Sequence, residues 1–209
     1  MKLVELTVNG YLDVLKSDAP APGGGSVSAL AGAQGTGLLM MVCDLTIGKE
    51  KYADYQDLCR QAKERATALQ IALTEAIDKD TEAFNLVSDA FKMPKSTDEE
   101  KKARSGAIAH GTLVATEVPF GVMNLAYEGL LLIQEVVGKS NSNAASDLGV
   151  AVLNLITCIK GAWLNVKINL PGVKDEAKKA AFQEDGANLV ETAEILANEL
   201  YLEIANSLE

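Results

Sequence analysis

The stretch "GGGSVSALAGAQGTGLLMMVC", Gly23 to Cys43, carries no charged side chain along its whole length. Runs of about 20 apolar residues can span a bilayer, so the first question is which solvent this one meets. Six of its residues are glycine, and Ser26, Ser28, Gln34 and Thr36 interrupt the remainder, which leaves it weakly hydrophobic for lipid. Ala29, Ala33 and Gly37 recur at i, i+4 and i+8 with Gly32 and Gly35 beside them, a smooth face on which another helix can pack closely. The pattern predicts a helix over 27–46, capped by Ser26, at the centre of the fold. The triple glycine ahead of it is not a nucleotide loop, because no Lys-Ser/Thr pair follows Gly25 and no strand pattern precedes Gly23.

The rest of the chain agrees with a helical core. Of 209 residues, 48% are hydrophobic but only 5% aromatic, and Gly and Pro fall mainly between long segments rich in Ala, Leu, Lys and Glu. This composition predicts an all-α, single-domain bundle of long helices over 1–209, with the small-residue helix in the middle. A formal net charge of −10, with no dense Lys/Arg tract, argues against nucleic acid as a partner. Cys43, Cys59 and Cys158 are odd in number and far apart, so neither a disulfide framework nor a metal-ligand spacing is indicated. The start "MKLVELTVNG" lacks the apolar core of a secretion signal. A soluble cytoplasmic protein without membrane association is expected.

Outward from the central stretch, a short helix is expected over 7–16, stopped by the prolines of "SDAPAPGGG". "TIGKEKY" breaks the chain at Gly48, and helical spacing then runs over 54–90 through Leu58, Ala62, Leu69, Leu73, Ile77, Phe84 and Val87. Ser96 with Glu99 forms a capping-box pattern for a further helix, which Pro119 should break or kink before it continues to 137. "GKSNSNAASDLG" leads into a helix over 143–169, and an amphipathic helix from 175 closes the chain.

Within this pattern one carboxylate is out of place. Asp80 falls on the apolar stripe between Ile77 and Phe84, whereas Asp78 and Glu82 fall off it. A carboxylate facing a core is either paired, used as a cap, or chemically active, and burial raises its pKa toward that of a working acid or base. Asn141, Asn143, Ser146 and Asp147 gather polar groups at a helix start, where Ser142 or Asn143 also suits a plain capping role. Asn165 and Asn169 lie further along that helix. The lone His110 has no second ligand at metal spacing, and Lys49 and Lys51 suit either a solvated loop or a carboxylate partner.

Taken in order, "PAPGGGSVSALAGA" (Pro20–Ala33), "LTIGKEKY" (Leu45–Tyr52), "DTEAF" (Asp80–Phe84), "MPKSTDEEK" (Met93–Lys101) and "SNAASDLGVAV" with "GAWLNVKINL" (Ser142–Leu170) resemble the cyclodeaminase/cyclohydrolase family of folate enzymes. The resemblance implies an all-helical homodimer without metal or nucleotide cofactor, acting on a tetrahydrofolate derivative. It also implies that Asp80, the first residue of the Asp-x-x-Ala-Phe motif, is catalytic. Gly23, Gly24, Gly25 and Ser26 would shape the folate cleft, and Lys49 and Lys51 would meet the glutamate tail of a substrate that can be polyglutamylated. Asn141, Asn143, Asp147 and Asn165 would bind the pterin. The first expectation is hydrolysis of 5,10-methenyltetrahydrofolate, because the chain carries no formiminotransferase domain. Cyclodeamination of 5-formiminotetrahydrofolate is the alternative, and a non-catalytic helical dimer the third.

Overall fold

The computed structural model describes residues 2–208. Six helices follow in order: α1 (Val8–Leu15), α2 (Gly24–Thr46), α3 (Gln56–Lys92), α4 (Asp98–Val136), α5 (Ala145–Asn169) and α6 (Glu176–Asn206). Short 3-10 turns occupy Leu3–Glu5, Glu50–Tyr55, Ser142–Ala144 and Leu170–Gly172, and no strand occurs among the described residues. Helix α2 packs along both α3 and α5, α4 packs against α3 and α5 in turn, and α6 lies against α5 and α4. The core is therefore a four-helix ring with α6 added outside.

The small-residue helix is central, as its composition predicts, but its contact face differs in detail. A Cβ at Gly32 would stand 2.8 Å from Cys158 Sγ, and one at Gly35 would stand 2.8 Å from Leu155 Cγ, whereas Gly37 has nothing within 4 Å. The close approach to α5 thus runs through Gly32 and Gly35, and Gly37 looks outward. By length and composition α2 and the segment Ser142–Gly172 could each cross a membrane, yet 56% and 44% of their apolar windows are buried inside the bundle. Burial against neighbouring helices thus accounts for about half of that hydrophobicity. Cys43, Cys59 and Cys158 are buried and free, and burial pushes the Cys43 and Cys158 thiols up to about 12.

Several local expectations shift. Helix α2 begins at Gly24 with Gly23 as its cap, so Ser26 lies inside the first turn and does not cap it. The capping box of α4 sits one residue later than predicted. Thr97 Oγ1 accepts from Glu100 N at 3.1 Å, and Glu100 Oε2 accepts from Thr97 N at 3.0 Å.

Pro119 neither breaks nor ends α4, which runs through it. A proline has no N–H for the carbonyl four residues earlier, so the Ala115 carbonyl is released. Asn169 Nδ2 donates to that oxygen at 2.8 Å from the end of α5. The missing helical bond is replaced across the bundle, and α5 is tied to α4. Asn169→Ala should lower unfolding stability by about 1–2 kcal/mol, the cost of stranding a partly buried acceptor. In a Pro119→Ala background, which restores the N–H, urea titration should show most of that loss gone.

Candidate active site

Asp80 is brought against the first turn of α2. The Ser26 backbone N–H donates to Asp80 Oδ2 at 2.9 Å. The Ser26 hydroxyl lies 3.2 Å from the same oxygen and 2.8 Å from the Ile77 carbonyl, and its one proton serves one acceptor at a time. No Lys or Arg pairs with Asp80 among the described residues. The carboxylate thus caps a neighbouring helix from outside it, one of the roles the sequence allows, and the positive end of α2 favours its charge. Burial raises the Asp80 carboxyl above its usual range, and the two Ser26 donors hold it back.

Capping does not hide Asp80. It lines a cavity of about 350 Å3 with Pro20, Ala21 and Gly23 from the loop before α2, Gly24 from the first turn of α2, Phe84 and Val87 from α3, Ala115 from α4, and Asn165, Ile168 and Asn169 from α5. Phe84, expected in the core, is 39% exposed because it walls this cavity. Gly25 lies underneath, where a Cβ would collide with the Asp80 carboxylate. Asn165 Nδ2 donates to the Gly161 carbonyl at 2.9 Å and Asn169 Nδ2 is spent on Ala115. Both amide oxygens remain free to accept from a ligand.

Of the predicted site residues, Gly23, Gly24, Gly25, Ser26, Asp80 and Asn165 come together. Lys49, Lys51, Asn141, Asn143 and Asp147 do not. They gather beyond the far end of α2, whose 23 residues place its ends about 33 Å apart at ~1.5 Å per residue. There Asn141 serves the structure: its N–H donates to Thr46 Oγ1, its Nδ2 to the Leu45 carbonyl, and its Oδ1 accepts from Asn143 N. Asn141 is the cap of its turn, a part predicted for Ser142 or Asn143. Lys49 and Asn143 are exposed.

Lys51 Nζ sits 3.4 Å from Ser142 Oγ and lies over the Tyr52 ring. Ser142 N donates to the Tyr52 hydroxyl at 2.9 Å. Hydrogen bonds from the Ser142 side chain and backbone, with the nearby Lys51 charge, bring the Tyr52 phenol down to about 8. Tyr52 was not predicted; its place three residues after Lys49 in the same loop was the available signal. Asn169 was noted only as an amide, although it repeats Asn165 one turn on. His110 is exposed on α4, and no cluster of three metal-ligating side chains occurs among the described residues.

An all-α bundle with one partly buried carboxylate at a helix start, in a cavity edged by glycines and amides, has the make-up of a small-molecule site suited to acid-base chemistry. The family profile described as formiminotransferase-cyclodeaminase matches residues 7–188, and the chain belongs to that family. It is 43% identical over 171 residues, 82% of each chain, to the methenyltetrahydrofolate cyclohydrolase of Methylorubrum extorquens. It is 31% identical to the formimidoyltransferase-cyclodeaminase of Mus musculus, over 93% of this chain and 36% of that longer protein. The crystal structure of formiminotetrahydrofolate cyclodeaminase from Thermotoga maritima superposes with a TM-score of 0.81 at 25% identity, covering 99% of this chain and 98% of the other.

Proposed function

We propose that this chain hydrolyses 5,10-methenyltetrahydrofolate to 10-formyltetrahydrofolate. The carrying observation is the Asp80 carboxylate, partly buried, unpaired by any cation among the described residues and open to a cavity, in a chain 43% identical to a cyclohydrolase over 82% of both. In the substrate the bridging carbon belongs to a cationic amidinium. Asp80 attracts that cation and takes one proton as water adds to the carbon. The C–N5 bond then breaks, Asp80 returns its proton to N5, and the hydroxyl proton of the adduct leaves for solvent as the formyl group forms on N10. Substrate and water balance the reaction, so the reading requires no cofactor. Phe84, Val87 and Ile168 offer apolar surface to the flat ring, while the amide oxygens of Asn165 and Asn169 accept from its N–H groups.

A second reading has its own support. The likeness to the Thermotoga cyclodeaminase extends over nearly the whole of both chains, so chain length does not separate the two activities. There N10 of 5-formiminotetrahydrofolate would attack in place of water and ammonia would leave. An absorbance assay with both folates and parallel ammonia measurement decides: loss of the methenyl band without ammonia supports hydrolysis, and its appearance with ammonia supports deamination.

The proposed enzyme works as a homodimer in the cytoplasm, and its free buried thiols suit a reducing compartment. Support for the dimer lies in the two clusters at opposite ends of α2, since an antiparallel second copy would carry its Lys49/Lys51 loop to the first copy's Asp80. Val27, Met41 and Leu45 of α2 and Leu164 and Ile168 of α5 are 38–78% exposed and offer apolar surface for such a copy. The lysines would then receive the glutamate tail of a polyglutamylated folate. If so, mixing Asp80→Asn with Lys51→Met protomers should recover about a quarter of wild-type activity below saturation, since half the dimers carry one intact site of two. No recovery would place both residues' roles within one protomer, and about half of wild-type activity, with Lys51→Met alone fully active, would remove Lys51 from the site.

A further inference from the structure

Tyr11, on α1, is 8% exposed, and its phenolic oxygen is buried without a hydrogen-bond partner among the described residues. It shares a groove with Val27 and Ile77. Val27 directly follows Ser26 in α2. Ile77 lies one turn before Asp80 in α3 and accepts the Ser26 hydroxyl. Tyr11 therefore reaches the bundle at the same level as the carboxylate. At Asp80 both hydrogen bonds from Ser26 fall on Oδ2, and none from the described residues reaches Oδ1.

A buried phenol needs an acceptor, and an ionised carboxylate can only accept. We propose that Tyr11 is a positioning residue for the reaction at Asp80: its hydroxyl donates to one bridging water, which in turn donates to Asp80 Oδ1. The two groups make no direct bond, and a single water is the shortest link that satisfies both. Burial, and then the Asp80 charge, push the Tyr11 phenol up. The link stabilises the ionised carboxylate against its burial and fixes the oxygen that Ser26 leaves free. It rests on the role of Asp80 in the proposed function.

Charged groups on the surrounding elements are engaged elsewhere. On α1, Asp13 pairs with Lys16; on α3, Asp78 accepts from Leu3 N, Lys79 pairs with Glu75, and Glu82 is exposed. The charge-free first turns of α2 contribute none. On α4, Glu117 meets Lys178 and His110 is exposed, while on α5 Lys167 lies over the Trp163 ring. Among the described residues none of these groups bonds Asp80, whose hydrogen bonds come from Ser26.

Tyr11→Phe keeps the shape and removes only the hydroxyl. In carboxyl-carbon NMR titrations, with Asp80→Asn to assign the signal, the Asp80 pKa should rise by about half a unit to one unit in Tyr11→Phe. The acid limb of kcat/KM should move up with it, with KM unchanged. An Asp80 titration identical in the two proteins would overturn the proposal. The titration needs no substrate, so a wild type silent toward both folates would defeat the proposed function while the role of Tyr11 is still decided.

Discussion

Asp80→Asn should lower kcat/KM toward methenyltetrahydrofolate by about a thousandfold or more, because one side chain supplies both the proton transfers and the charge that meets the cation. The fold should survive. An asparagine oxygen can accept the Ser26 N–H as Oδ2 does, so the outside cap of α2 persists. The sign of the stability change also follows. Burial raises the Asp80 carboxyl above its unfolded value, so its contribution to stability is present below the unfolded pKa. It is lost as pH rises through the folded one. At neutral pH the ionised group is therefore a burden on the fold that asparagine lacks, and the variant should melt no earlier than wild type. An Asp80→Asn protein retaining activity within tenfold of wild type would remove Asp80 from the mechanism. The same carboxylate sets the pH profile: activity should fall on the acid side at a pH above the usual carboxylate range.

The sequence revealed this residue because helical periodicity leaves few places for a carboxylate on an apolar stripe, and Leu73 and Ile77 are only 0% and 4% exposed, as that stripe requires. Beyond Asp80 the stripe stops being core. Periodicity reports which face turns inward, but it cannot tell a packed interior from a cavity wall, and Phe84 belongs to the wall. The continuity of α4 was hidden for another reason. The group that satisfies the carbonyl released by Pro119 lies 54 residues away on α5, and no local rule for proline contains it. The division of the polar residues into two clusters was legible but unused. Gly24 and Thr46 bound one straight helix, so Lys49 could never reach Gly24 within one chain. Resemblance gathered motif residues into a single site, and helix length separates them into two.

Gly25→Ala should lower kcat/KM by about a hundredfold, although it leaves Asp80 in place and ionisable. A Cβ at position 25 would stand 2.6 Å from Asp80 Oδ2 and closer still to Cγ and Oδ1. No real Cβ tolerates such contacts, so the side chain must swing off the Ser26 N–H or α3 must move away from α2. The first response costs a charge-assisted hydrogen bond and the favourable end of the helix dipole, together about 1–3 kcal/mol of stability. It also misplaces the reacting oxygen by about 1 Å, a displacement worth on the order of a hundredfold in rate. The neighbouring glycines supply the control. At Gly24 an added Cβ would meet Asn165 Nδ2 at 3.4 Å, an ordinary contact, and at Gly23 it would meet nothing within 4 Å. Alanine scanning should therefore give a graded series in kcat/KM, severe at 25, mild at 24 and nearly silent at 23. Equal losses at all three positions would mean that the glycines serve the mobility of the loop. A loss confined to position 25 means that the missing side chain is there to admit the carboxylate.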